Sequence, residues 1–121
     1  MLKYSETLKK NHEFRRLYNR GKSAGTRYLV VYSRRNRLGR NRIGITVSGK
    51  LGGAVVRNRV RRRLREIYRL NEDRLRIGWD IVIVARVNAV GSKFRALNSA
   101  FIDACEKLSI LNDTENRGEK A

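Results

Sequence analysis

Residues 50–66, KLGGAVVRNRVRRRLRE, form the stretch on which the reading of this chain turns. Val56, Val60 and Leu64, with Ile67 just beyond, fall at i, i+4, i+8 and i+11, a narrow apolar stripe of helical period. At about 100° per residue, Asn58, Arg61, Arg62, Arg65 and Arg69 collect on roughly the opposite arc. A solvated helix normally sets Glu against Lys or Arg four residues apart. Here like charges recur at that spacing, in Arg57 with Arg61, Arg61 with Arg65 and Arg59 with Arg63, each pair destabilising by a few tenths of a kcal/mol. Only Glu66, four residues on from Arg62, offers relief. A helix that keeps this repulsion is built to meet phosphates, which remove it.

The rest of the chain carries the same bias. Among 121 residues, 29 Lys and Arg face 11 Asp and Glu, a formal net charge of +18. From Phe14 to Arg65 there is no acid, while Arg15, Arg16, Arg20, Lys22 and Arg27 lead into the arginine run. From Glu66 onward, acids and bases balance. Charge massed in one half marks a polyanion-binding face, with nucleic acid as the usual partner and an anionic membrane surface as the rival. Arginine dominates where charge is dense. Its planar fork binds phosphate through two bonds and stacks on bases, which favours RNA.

The length suits one domain, residues 1–121, with residues 1 to about 10 as an N-terminal arm and 112–121 as a frayed polar tail. A first helix is expected with Asn11 as its cap, carrying Phe14, Leu17 and Tyr18 on one side and ending at Gly21. Two strands follow, over Tyr28–Tyr32 and Ile43–Val47, flanking a basic loop at 34–42 in which Gly39 and Asn41 suit a turn. Strand alternation places Tyr28, Val30 and Tyr32 together. Ser48–Gly53 is a flexible entry to the arginine helix. Ile81–Ala85 is apolar on both faces, the pattern of a buried central strand. Phe94, Leu97, Phe101, Ala104 and Leu108 outline a third amphipathic helix. The class is α+β, helices packed on a small mixed sheet.

Several chemistries lack their residues. His12 is the single histidine, so the two-imidazole arrangement of protein ribonucleases is not available. Asp80 and Asp103 stand alone, which argues against a two-metal site carried by the protein. Gly49-Lys50 lacks the spacing of a nucleotide-binding loop, and the one cysteine, Cys105, is read as core. The amino-terminal residues have no apolar core of a signal peptide, and the run Ile81–Ala85 is too short to span a bilayer. A cytoplasmic protein that does not enter membranes is expected. Phe14, Tyr18, Tyr28 and Tyr32 interleave with bases and have two readings, core residues or a stacking platform for unpaired bases. Asn58 likewise reads either as a contact to RNA or as a helix cap.

The segment Lys50–Glu66 strongly resembles the arginine–asparagine–arginine signature of the bacterial ribonuclease P protein subunit. The likeness extends to Phe14, Tyr18 and Gly21, to Val30-Val31-Tyr32 and to Ile43-Gly44-Ile45, so that it spans nearly all of the chain except its tails. Gly49 stands where relatives often carry a second lysine, and Arg61 replaces a more usual lysine. The resemblance implies an αβββαβα domain with a four-stranded mixed sheet and a left-handed βαβ crossover. It implies a ribonuclease P holoenzyme in which a large RNA is the catalyst and holds the Mg2+ ions, removing the 5′ leader of precursor tRNA. It implies partnership with that catalytic RNA, one protein per RNA. By the resemblance, Arg57, Asn58, Arg59, Arg61, Arg62 and Arg65 bind the catalytic RNA, and Lys50 and Arg69 are expected to join them. Phe14, Arg15, Tyr18 and Tyr32 form the cleft for the single-stranded leader. A structural RNA-binding protein, as of the ribosome, and a stand-alone protein nuclease are the alternatives.

Overall fold

A strand apolar on both faces needs cover on both sides, and for that reason Trp79–Ala85 organises the molecule. In the computed structural model, which describes Leu2 and residues 5–112, this strand is the middle one of five in a single mixed sheet. The elements run β1 (Ser5–Thr7), α1 (Asn11–Arg20), β2 (Lys22–Gly25), β3 (Leu29–Arg35), β4 (Asn41–Thr46), α2 (Ala54–Asn71), β5 (Trp79–Ala85) and α3 (Phe94–Lys107). The sheet order is β1-β4-β5-β3-β2. β4 lies parallel to both β1 and β5, while β3 is antiparallel to β5 and to β2. Parallel neighbours need a crossover, and α2 supplies the one between β4 and β5.

The α+β class and the mixed sheet agree with the sequence reading. The strand count does not: the sheet has five strands rather than four. The addition is β1, in the segment expected to be an arm. Ser5 pairs with Asn41 and Thr7 with Ile43, and the Leu8 N–H donates to the Ile43 carbonyl at 2.9 Å. Leu8 is buried beside Leu17 and Val82. A polar Ser-Glu-Thr triplet has little strand signal of its own; the open edge of β4 supplies its partner. Of the expected tail, only Asn112 falls within the described residues, and its side chain donates to the Leu75 carbonyl at 3.1 Å.

Alternation along β5 sorts the two faces. Ile81, Ile83 and Ala85 join Leu29, Val31 and Ile43 beneath α2 and α3, which add Val60, Leu64, Ile67, Leu97 and Phe101. Val82 and Val84 lie on the other face, under α1, with Leu17, Phe14 and Tyr32. Tyr28 precedes β3, escapes its alternation and packs against the α2–α3 side, apart from Tyr32. Phe94 is not part of the core stripe either; it sits exposed as the first residue of α3. Cys105 is buried as expected, and burial raises its thiol pKa well above the ordinary range.

Three local expectations shift by a residue or more. Asn11 opens α1 instead of capping it. Lys10 holds the cap position, and its N–H donates to Glu13 Oε1 at 3.2 Å. The expected basic loop shortens to residues 36–40, because β3 runs on through Arg35 and β4 begins at Asn41. Asn41 is a buried brace rather than a turn residue. Its Oδ1 accepts from the Gly78 and Trp79 N–H groups at 2.8 and 2.9 Å, and its Nδ2 donates to the Arg76 carbonyl at 3.0 Å. Asn71 ties α2 to α3 in the same manner, donating to the Ile67 carbonyl and to Asn98 Oδ1, each at 2.8 Å.

Tyr68 links the first strand to the core. Its hydroxyl shares a 2.6 Å hydrogen bond with Ser5 Oγ, its ring meets Phe101 edge-on, and burial pushes its pKa up to about 12. The fold therefore favours the neutral phenol. That preference is fully present below the ordinary tyrosine pKa of about 10 and is lost as pH rises toward the elevated value. Two units correspond to on the order of 2–3 kcal/mol. Urea unfolding from about pH 9 to about 12 is expected to show this loss in the native protein and its absence in Tyr68→Phe. Parallel curves for the two proteins would disprove it.

Candidate nucleic-acid interface

The position of α1 across the sheet rests on one guanidinium. Arg42, on β4, donates to Asp80 through Nε at 2.8 Å and Nη2 at 2.6 Å, and to Glu13 of α1 through Nη1 at 2.5 Å. Asp80 is its register partner on β5. The hydrogen bond to Asp80, with both carboxylate charges, holds the Arg42 proton far more tightly than usual. Burial alone would raise the Glu13 carboxyl; the Lys10 N–H and Arg42 override it and hold the group below its ordinary range.

Two residues along β4 on the same face, Gly44 receives the ring of Phe14. A Cβ at Gly44 would lie 2.5 Å from Phe14 Cε1, so no side chain fits without moving the ring. Two residues further, Thr46 Oγ1 shares a 2.8 Å hydrogen bond with the Tyr18 hydroxyl. The residues of this face of β4, Arg42, Gly44 and Thr46, thus seat Glu13, Phe14 and Tyr18 in turn.

β1 covers β4 only as far as Ile43, so the Gly44–Thr46 edge has no strand beside it among the described residues. α2 passes along that edge, and a groove results between the two helices. Its inner end is a cavity of about 230 Å³ bordered by Leu8, Phe14, Gly44, Arg61, Arg65 and Tyr68. Its outer reach, about 550 Å³ and open to solvent, is bordered by Phe14, Arg15, Tyr18, Thr46 and Arg61. Phe14, Ile45 and Arg61 border both. Residues expected to serve two roles, leader cleft and RNA-binding helix, therefore meet in one place.

Tyr32 reaches this groove through Tyr18: the rings meet edge-on at 73°, with centroids 5.0 Å apart. The aromatic residues divide between core and surface. Phe14 and Tyr32 pack on Leu8, Leu17 and Val82, whereas Tyr18 is exposed.

The expected RNA-binding residues on α2 divide by angle. From the buried Val60, Arg61 and Arg65 lie about 100° and 140° around the helix, toward the groove. Asn58, Arg62 and Arg69 follow at about 160° to 200°, on the outer face. Arg59 lies at about 260°, on the far flank with Arg63, whose Nη1 donates to the Ser92 carbonyl at 2.6 Å. Asn58 is no cap, since α2 starts at Ala54 with Gly53 before it; its Oδ1 accepts from Arg61 Nη1 at 3.1 Å. Arg57 is half-buried, and its Nε has no acceptor among the described residues. Ser48–Gly53 holds a 3-10 turn, Gly49–Leu51, with Leu51 buried, which presents an exposed Lys50 ahead of the helix.

Ion pairing leaves most of this charge free. Glu6 pairs with Arg40, Glu13 and Asp80 with Arg42, and Glu66 with Arg69. Among the described residues, Arg57, Arg59, Arg61, Arg62 and Arg65 have no carboxylate partner. Arg69 does, in an exposed pair with Glu66 that a phosphate can displace. Among the described residues, no three His, Cys, Asp or Glu side chains come together as a metal site. No described helix is long and apolar enough to cross a membrane.

The family model for Ribonuclease P matches residues 2–109. The chain belongs to the ribonuclease P protein family. A ribonuclease P protein component from Alkaliphilus metalliredigens is 42% identical over 105 residues, 87% of this chain and 95% of its own. Among solved structures, the Staphylococcus aureus RNase P protein superposes with a TM-score of 0.80 at 32% identity, covering 88% of this chain and 97% of that one. The Thermotoga maritima RNase P protein gives 0.74 at 31% identity, over 81% and 93%.

Sequence reasoning missed the seat of Phe14 and the Arg42 clamp. The signal for the first was a glycine inside a strand, which marks a close approach. Gly44→Val is expected to drive the Phe14 ring from the sheet and lower stability by about 1–3 kcal/mol. A denaturant midpoint equal to that of the native protein would show that the ring has room to spare.

Proposed function

We propose that the protein is the protein subunit of ribonuclease P. In this reading it binds the catalytic RNA and the 5′ leader of precursor tRNA, and assists removal of the leader to give mature 5′ ends. The observation that carries the reading is the groove itself. Phe14, Arg15 and Tyr18 from α1 face Arg61 and Arg65 from α2 across a bare strand edge, a combination suited to an unpaired strand. Aromatic rings offer stacking surface to any base, and the arginines neutralise the backbone between bases. The outer face of α2, with Asn58, Arg62 and Arg69, then lies against phosphates of the catalytic RNA. Arg57, Arg59 and Lys50 extend that contact.

Cleavage in this reading belongs to the RNA. Mg2+ bound by the RNA supplies the metal-assisted hydrolysis. Among the described carboxylates, Asp80 and Glu13 are engaged by Arg42 and Glu6 by Arg40. The lone histidine, His12, is exposed at the start of α1. What the protein contributes is positive charge between two polyanions that must meet, and stacking energy for the leader. It works in the cytoplasm, one copy per RNA.

Three outcomes are expected. With about six phosphates contacted, affinity for the catalytic RNA falls on the order of a thousandfold between about 50 and 200 mM salt; a flat response would sink the electrostatic account. Tyr32→Ala weakens binding of precursor tRNA by about 1–3 kcal/mol and leaves mature tRNA unaffected, because Tyr32 backs the exposed ring of Tyr18. Equal losses on both RNAs would remove the leader role. Precursor tRNA is cleaved when protein and catalytic RNA are combined in Mg2+. Cleavage by the protein alone would make it a nuclease in its own right and overturn the proposal.

A further inference from the structure

The half of the chain from Glu66 onward is neutral in total but not in its parts. Between Asp80 and Asp103 there is no acid, and Arg86, Lys93 and Arg95 fall in that gap. The fold brings this stretch to the turn between β2 and β3, which carries Arg27. The Arg86 N–H donates to the Tyr28 carbonyl at 2.9 Å, and Asn88 Nδ2 donates to the Arg27 carbonyl at 3.3 Å. Between the two segments lies a recess of about 400 Å³, bordered by Arg27, Tyr28, Asn88, Val90 and Lys93. The Arg27 guanidinium sits 5.9 Å from the centre of the Tyr28 ring. The Arg86 guanidinium lies against Gly25 of β2. Val87, Val90 and Phe94 stand exposed nearby. Among the described residues, none of Arg27, Arg86, Lys93 and Arg95 is paired with a carboxylate.

This recess is not part of the groove. It lies on the α3 side of the sheet at the β3 end, whereas the groove follows the β4 edge. It does adjoin α2: Arg63 reaches from the flank that also carries Arg59 to the Ser92 carbonyl, in the loop beside the recess. A basic surface thus runs from the far flank of α2 to Arg27 and Lys93.

We propose that this recess is a second RNA-binding surface, which takes unpaired nucleotides of the catalytic RNA. The inference rests on the function proposed above. A concave site with one aromatic wall, apolar neighbours and several unpaired cations matches a base with its flanking phosphates. Continuity with α2 assigns the RNA to the catalytic partner rather than to the leader. An anionic lipid surface would meet the same charges, but it prefers a flat or convex apolar face to a recess around a tyrosine.

The test uses the full chain and ribonuclease P RNA transcribed from Alkaliphilus metalliredigens, with binding measured across a salt series. The double variant Arg27→Glu, Lys93→Glu is expected to bind at least tenfold more weakly at moderate salt. Its salt slope should be shallower by roughly 1.4 to 1.8, the equivalent of two phosphates. Tyr28→Leu, which keeps apolar bulk against the core, should lose about fivefold or more from stacking. In the reconstituted holoenzyme, both retain the preference for precursor over mature tRNA, and thermal unfolding shows both folded. Unchanged affinity and slope would overturn the inference, as would loss confined to the precursor preference, an inert Tyr28→Leu, or a defect seen only on vesicles containing phosphatidylserine. Arg62→Ala, Arg69→Ala, on the outer face of α2, serves as the reference. If that variant binds the RNA normally too, the proposed function itself is at fault; if it alone is defective, only the recess is.

Discussion

One guanidinium shared by two carboxylates determines how this small domain is arranged. Arg42 joins β4 to β5 through Asp80 and the sheet to α1 through Glu13. Removing one partner of such a half-buried cluster leaves a charge without compensation, which is why it behaves as a unit. Because α1 is held at Glu13, the adjacent Phe14 meets Gly44 and Tyr18, one turn on, reaches Thr46. The groove is the space that this placement leaves beside α2.

The clamp also takes up two of the chain's few carboxylates. The chain has few acids, and several of those described are committed to internal ties: Glu6 to Arg40, Glu13 and Asp80 to Arg42, Glu66 to Arg69. The arginines of the groove and of the outer face of α2 are left with solvent and counterions. A protein with this imbalance works against its own folding through self-repulsion, and a polyanionic partner removes that penalty. Stability and binding are therefore coupled through the same side chains.

Much of the site was visible before any coordinates. The arginine helix and the third helix each carry a helical period, and the short continuous apolar run at 81–85 marks the central strand. The composition of residues 50–66 also points to a phosphate partner. Boundaries were less legible. Asn11, Asn41 and Tyr28 each have the residue type of a cap, a turn or a strand; hydrogen bonds to distant segments place Asn41 and Tyr28 otherwise, and the local tie of Lys10 to Glu13 displaces Asn11. The first strand was invisible because Ser-Glu-Thr has no apolar alternation, and its order comes from the edge of β4 and the tie to Tyr68.

By itself, then, the amino-acid sequence determined the class of the fold, the helix that carries the charge and the family to which the chain belongs. Those follow from local periodicity and from a long motif read in order. Only the tertiary structure decided which arginines share a surface with which rings. Arg61 and Arg65 border the cavity that Phe14 enters, while Arg59 lies on the far flank with Arg63, which donates to the Ser92 carbonyl. The physical reason is that a helix distributes consecutive residues around its full circumference, and packing against the sheet alone selects which arc faces the groove.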